Sequence, residues 1–320
     1  MNKEHYNHLV QEAIKHYDIQ AENIEYFIEE TNIFYKIDAK QGIYMLKIFQ
    51  EDSSKIEDNL AEVYFINEIA TKTDIIVPKV ISTKDNESIL QLENNNFPDK
   101  KRIALYEYID GVDFNGNETR ELFQKLGEAT AKLHIASKEL VIPNNINPKK
   151  WDKVFYYRGE EAIYNTNKYH KFITKDDRLL LDKFIPYLNN KLQSYYTRES
   201  FIIHADLNPW NVRIHKNEIR LLDFEEAMYA SEIHDLAILL FYYRYDPNYN
   251  YQEVKEDVFK GYQKQRELPI ITEFDIDLLI MARTTNFINY VLILYDDPTE
   301  YIKNRMKRIR EFITEYKINL

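Results

Sequence analysis

His204-Ala205-Asp206-Leu207-Asn208-Pro209-Trp210-Asn211 has the form H-x-D-x-x-x-x-N and lies between two short apolar runs of strand character, Phe201 to Ile203 and Val212 to His215. A carboxylate on a loop between strands is held at a defined place, so Asp206 is a candidate for accepting or orienting the proton of an attacking hydroxyl. Asn211, five residues on, offers a side-chain amide oxygen, a hard ligand suited to a cation that prefers oxygen. A further strand, Ile219 to Leu222, leads to Asp223-Phe224-Glu225, and a turn at Lys216-Asn217 returns Asp223 beside Asn211. One hairpin thus presents two oxygen ligands.

Taken singly, Asp206, Asn208 and Asn211 have the composition of ordinary turns. Taken together in a strand-loop-strand setting, they have the form of a kinase catalytic loop followed by a metal motif. At these residues the chain resembles the aminoglycoside phosphotransferase and choline kinase group, small-molecule relatives of eukaryotic-type protein kinases. Loops of that group usually read H-G-D-x-x-x-x-N, with Ala205 here in place of the glycine, and their metal motif reads D-F-E or D-W-E, as Asp223-Phe224-Glu225 does. The stretch from Gly127 to His134 is similar to the group's helix before its insert, and Asp235-Leu236-Ala237 to its post-catalytic helix.

The resemblance implies a two-lobed, protein-kinase-like fold that transfers the γ-phosphoryl group of ATP or GTP to a small-molecule hydroxyl. It implies Asp206 as the catalytic residue, Asn211 and Asp223 as ligands of Mg²⁺, and Asp235 as an acceptor for the catalytic-loop backbone. It further implies a phosphate-binding lysine on the third strand, which Lys47 supplies within Tyr44 to Phe49, and a carboxylate on the next helix to hold it. Glu62 is the better candidate, with Glu57 and Glu68 as competitors. Backbone groups of Glu107, Tyr108 and Ile109 are expected to face the base. The turn Glu29-Glu30-Thr31-Asn32 lacks glycine, so the N–H groups of Thr31 and Asn32 are expected to approach the phosphates. Trp151 and Tyr156-Tyr157-Arg158 fall in the insert that shapes the acceptor pocket in such proteins, or are packing residues. Glu225 and Glu226 either contact a cationic acceptor or support the metal site.

Outward from this centre the pattern is α+β. Asn23 to Ile28, Ile33 to Asp38 and Ile43 to Phe49 read as an antiparallel meander after an amphipathic helix that carries Leu9, Ala13 and Ile14. Ser53 and Ser54 are expected to cap a helix from about Ile56, and strands resume at Val80 to Ser82, Ile89 to Leu92 and Ile103 to Tyr108. Beyond Asp113 the period is helical, and Val141 to Lys150 reads as a loop. The expected division is a nucleotide-binding lobe over residues 1–110 and a larger catalytic, substrate-binding lobe over 111–320, with a cleft between them.

Bulk properties restrict the alternatives. With 42 Lys and Arg against 53 Asp and Glu, a net charge of −11 disfavours nucleic acid as a partner. It attracts cationic solutes or simply confers solubility. No cysteine is present, which removes disulfides, thiolate metal sites and a thiol nucleophile. No membrane partner is expected, and a cytoplasmic location is. The competing function is a catalytically degenerate kinase fold serving as a structural or binding protein, motivated by the glycine-free turn.

Overall fold

The computed structural model describes residues 3–51 and 54–320, so the expected cap at Ser53 lies outside the described residues. The chain divides into two compact units assembled from separated stretches. The first comprises Met1–Asn117, Glu139–Pro148 and Trp210–Glu225; the second comprises Glu118–Lys138, Lys149–Pro209 and Glu226–Leu320.

In the first unit, α1 (Lys3–Ile14) precedes three antiparallel strands, β1 (Ala21–Glu29), β2 (Ile33–Ala39) and β3 (Gly42–Phe49). Then come α2 (Ile56–Lys72), β4 (Val80–Ile81), β5 (Leu90–Leu92) and β6 (Lys101–Glu107). The sheet order is β1-β2-β3-β6-β4, with β5 also paired to β6. Side chains alternate across a strand, so Ile33, Tyr35, Ile37, Leu46 and Ile48 share one face and bury against Leu9, Val10, Ala13 and Ile14 of α1. The same alternation turns Lys47 to the other face, where α2 lies, in register with Phe34 on one side and Ala104 on the other. Helix α2 is not capped by Ser54. Lys55 occupies the cap position and donates its N–H to the Asp58 carboxylate (3.0 Å), while the Ser54 hydroxyl accepts from Asn59 (2.9 Å).

The short strand β7 (Val112–Asp113) has no period for a sequence reading to detect, and pairs with β10 (Val212–His215), which forms a hairpin with β11 (Glu218–Leu221). Lys216 and Asn217 both have positive φ, as a two-residue turn matched to strand twist requires. At Gly111, φ is +129° and a Cβ would lie 2.7 Å from the Ile214 carbonyl oxygen, so glycine alone fits this approach.

In the second unit, α3 (Arg120–Lys138) packs on α6 (Tyr251–Tyr262). The helices meet at glycines: a Cβ on Gly127 would fall 2.0 Å from the Val258 carbonyl oxygen, and one on Gly261 would fall 1.8 Å from that of Gln124. A small sheet joins β8 (Lys149–Lys150), β9 (Phe201–Ile203) and β12 (Met228–Ala230). The remaining helices are α4 (Lys175–Arg198), α5 (Ile233–Phe241), α7 (Glu273–Leu294) and α8 (Thr299–Glu315). By length and composition α7 could cross a membrane, but 83% of its apolar stretch is buried inside the protein, which makes it a core helix.

Candidate active site

On the inner face of β3, Lys47 is 2% exposed, and its ammonium lies 3.0 Å from each carboxylate oxygen of Glu62 and 3.1 Å from Glu225. The Tyr106 hydroxyl donates to Glu62 at 3.1 Å. Burial pulls the lysine pKa down, but Glu62, Glu225 and Asp223 outweigh it and hold the value above the ordinary lysine range. Lys47 is therefore a fixed, buried cation. The competing carboxylates are placed elsewhere: Glu57 is exposed and Glu68 pairs with Lys72 one turn along α2.

A cavity of about 240 Å³ opens beside Lys47, lined by Glu62, Tyr106, Glu107, Tyr108, Ile109, Asn211 and Asp223. Phe27, Ile28, Phe34, Met45, Ile66 and Leu222 make the rest of its wall apolar. Such a cavity suits a flat, weakly polar ring at one end and charged groups at the other. The N–H groups of Glu107 and Tyr108 are given to the carbonyls of Lys79 (2.8 Å) and Ile43 (3.0 Å). Thr31 and Asn32 do not line the cavity. Asn32 is fully buried, donating to Glu225 and accepting from Gln50 N–H at 3.3 Å, and so ties the β1–β2 turn to the acidic end of the metal motif.

Asn211 and Asp223 meet at the base of the β10–β11 hairpin, where Leu222 N–H donates to the Asn211 carbonyl at 2.8 Å. Asp223 is exposed, has φ +55°, and accepts from Glu225 N–H at 3.4 Å. An amide oxygen and a carboxylate on one cavity wall fit a hard divalent cation such as Mg²⁺ that keeps part of its water shell.

In the second unit, the loop after β9 carries Asp206. Its Oδ1 lies 2.7 Å from Arg283 of α7 and its Oδ2 accepts from Asn208 at 2.8 Å. The loop is pinned from α5: Asp235 accepts the N–H groups of His204 (3.0 Å) and Ala205 (2.7 Å), the role the resemblance implied. Ala205 has φ +64°, which explains why related loops favour glycine here. His134 of α3 donates Nε2–H to Asp235 at 3.0 Å and sits 2.9 Å from the Tyr262 hydroxyl. Next to Asp206, Glu226 is held by Lys149 (3.2 Å) and by the Tyr157 hydroxyl, and Tyr156 accepts a hydrogen bond from Arg283 at 2.6 Å.

The model of a phosphotransferase enzyme family matches residues 28–268 of the chain. This protein belongs to that family. The phosphotransferase is 22% identical to amicoumacin kinase of Bacillus subtilis (strain 168) over 277 residues, covering 82% of this chain and 78% of the relative. Among solved structures it superposes on amicoumacin kinase hAmiN, in complex with AMP-PNP, Ca²⁺ and Ami, with TM-score 0.77 and 20% identity, covering 97% of this chain and 96% of that one. It also superposes on a microcompartment-associated aminopropanol kinase with TM-score 0.72 and 19% identity, covering 96% and 95%. The α+β fold is that of the protein-kinase-like phosphotransferases, and the chain is a small-molecule kinase.

Arg283, Lys149 and His134 are the site neighbours of this phosphotransferase that a reading of the sequence misses. Arg283 did leave a signal, as a lone charge after the apolar run Leu278 to Ala282. Burial raises the Asp206 carboxyl above its ordinary value; Arg283, His204 and Asn208 oppose the rise and Glu226 adds to it. Tyr156, Tyr157 and Tyr242 also face the pair. Only the carboxylate accepts a proton, so removing the neighbouring cation raises the pH needed to form it. In Arg283→Met the acidic limb of the kcat/KM profile is expected to move to higher pH, with Arg283→Lys restoring part of the shift. An unmoved limb would show that Arg283 acts through packing alone.

Proposed function

We propose that this phosphotransferase moves the γ-phosphoryl group of ATP or GTP onto a hydroxyl of a small molecule. The observation that carries the reading is the buried Lys47 cation, fixed by Glu62 and Glu225 at the polar end of a cavity whose walls include Asn211 and Asp223. In this reading Lys47 binds the nucleotide phosphates, and the apolar wall takes the base. Asn211 and Asp223 would hold Mg²⁺, which supplies neutralisation of phosphate charge. The acceptor oxygen attacks the γ-phosphorus, the bond to the bridging β–γ oxygen breaks, and Asp206 takes the hydroxyl proton as the nucleoside diphosphate departs.

Mg-nucleotide is expected to raise the melting temperature, since a ligand at 100 times its Kd adds about 2.7 kcal/mol to stability. ATP and GTP titrated separately by thermal shift identify the donor, and no stabilisation by either at millimolar concentration would reject the reading. A screen of hydroxyl acceptors by nucleotide consumption, with mass spectrometry of the product, then identifies the reaction.

A further inference from the structure

Arg305 of α8 is 4% exposed, and its Nε and Nη1 are buried with no hydrogen-bond partner in the protein. Its guanidinium lies 4.3 Å from the Tyr301 ring centroid, 5.1 Å from that of Phe287 and 5.8 Å from that of Phe241, and among the described residues no carboxylate pairs with it. Tyr301 is its hydrogen-bonding neighbour, and burial draws its pKa below the ordinary arginine value. Aromatic faces offset only part of the cost of burying a charge, so this cation is short of an anion.

Its position connects it to the reacting carboxylate. Phe287 is flanked by two guanidiniums, Arg305 at 5.1 Å and Arg283 at 4.6 Å, and Arg283 is the residue that grips Asp206. The other charges near Asp206 are matched: Arg283 with Asp206 itself, and Lys149 with Glu226. The carboxylates that sequence suggested for a cationic acceptor are both engaged, Glu225 by Lys47 and Glu226 by Lys149. Arg305 is therefore a buried positive charge in excess, one aromatic ring removed from the Arg283–Asp206 pair. Tyr301, the ring over Arg305, is 43% exposed on the first turn of α8, so its outward movement would open the guanidinium to a ligand.

We propose that the acceptor of this kinase is a hydroxy acid, a molecule whose own carboxylate pairs with Arg305 while its hydroxyl is presented to Asp206. This rests on the reading of Asp206 as the catalytic residue. The net charge of −11 does not oppose it, because a binding site is selected by the charges that face it and not by the sum over the chain.

The test uses hydroxy acids, each paired with its primary amide, titrated against the full chain in the presence of Mg-nucleotide and read by both thermal shift and nucleotide consumption. At least one acid is expected to bind better than its amide by about tenfold or more, the scale of a charge-assisted hydrogen bond. That preference is expected to vanish in Arg305→Met and to persist in part in Arg305→Lys. The ligand-free Arg305→Met protein is expected to melt no lower than wild type, because it loses an unpaired buried charge. No preference in any pair, or a preference that survives in Arg305→Met, overturns the proposal. So does a clear fall in the melting temperature of Arg305→Met, which would make the arginine a structural brace. Stabilisation by Mg-nucleotide alone is scored separately, so the kinase reading can stand when this inference fails.

Discussion

Asp206→Asn is expected to lower kcat by about 10²–10⁴-fold, the range for losing a positioned general base, while leaving stabilisation by Mg-nucleotide in place. The amide keeps the shape of the side chain and its contact with Asn208, but it cannot take a proton. The cavity proposed for the nucleotide does not have Asp206 in its lining, which is why binding is expected to survive. The substitution has a second consequence. Asp206 and Arg283 are both largely buried, with side chains 16% and 7% exposed, and removing one partner leaves the other charge uncompensated at a cost of about 3–5 kcal/mol. Lost activity in the single variant could therefore reflect partial unfolding. The double variant Asp206→Asn/Arg283→Met separates the two effects: stability is expected to return and turnover is not. Recovery of turnover in the double variant would remove Asp206 from the catalytic role, and so would a single variant that keeps both its fold and its rate.

The elements that carry this chemistry differ in how far the sequence discloses them. The sheet of the first unit was legible because short runs rich in β-branched and aromatic residues, with Ile33, Tyr35, Ile37, Leu46 and Ile48 recurring at a period of two, are separated by polar turns. The long helices were legible for the same reason at a period of 3.6, and α7 ends at the predicted Leu294. Two-residue strands such as β7 and β8 carry no period, and exist only because longer strands offer them a free edge. The cap of α2 was misread since serine is a common N-cap, whereas here Asp58 reaches back from inside the helix to Lys55.

In the site, Lys47 and Glu62 were legible because the resemblance implies a lysine on the third strand and a carboxylate on the next helix, with Glu57 and Glu68 as competitors. Asp235 was legible through the resemblance. Arg283 and His134 were not, because their partners lie 77 and 101 residues away along the chain. A charge or a histidine on an apolar face announces that a partner exists without saying which one. The Glu225 side chain shows the same limit: sequence placed it at either the acceptor or the metal, and in the structure it bonds Lys47 and Asn32.

Lys47→Met is expected to have the largest effect on stability and on nucleotide binding together. Lys47, Glu62 and Glu225 have side chains 2%, 4% and 13% exposed, so deleting the cation strands two carboxylates in a region with little water. Breaking a buried pair from one side costs about 3–5 kcal/mol, a large share of the stability of a typical domain. Burial already pushes the Glu62 carboxyl up against the pull of Lys47 and the Tyr106 hydroxyl, so without the lysine it is expected to fold protonated. This fixes the sign of the pH dependence. A group whose folded pKa is raised favours the folded state at low pH and opposes it as pH rises past the ordinary carboxylate value, so Lys47→Met should lose stability relative to wild type on going from acidic to neutral pH. Adding Glu62→Gln removes one of the stranded charges and is expected to return part of the stability. Binding of Mg-nucleotide is not expected to return, because the phosphates still lack their cation. Urea unfolding at two pH values and thermal shift with Mg-nucleotide measure both outcomes. If the double variant bound nucleotide as wild type does, Lys47 would be a structural ion-pair residue and the phosphates would have to be held by other groups.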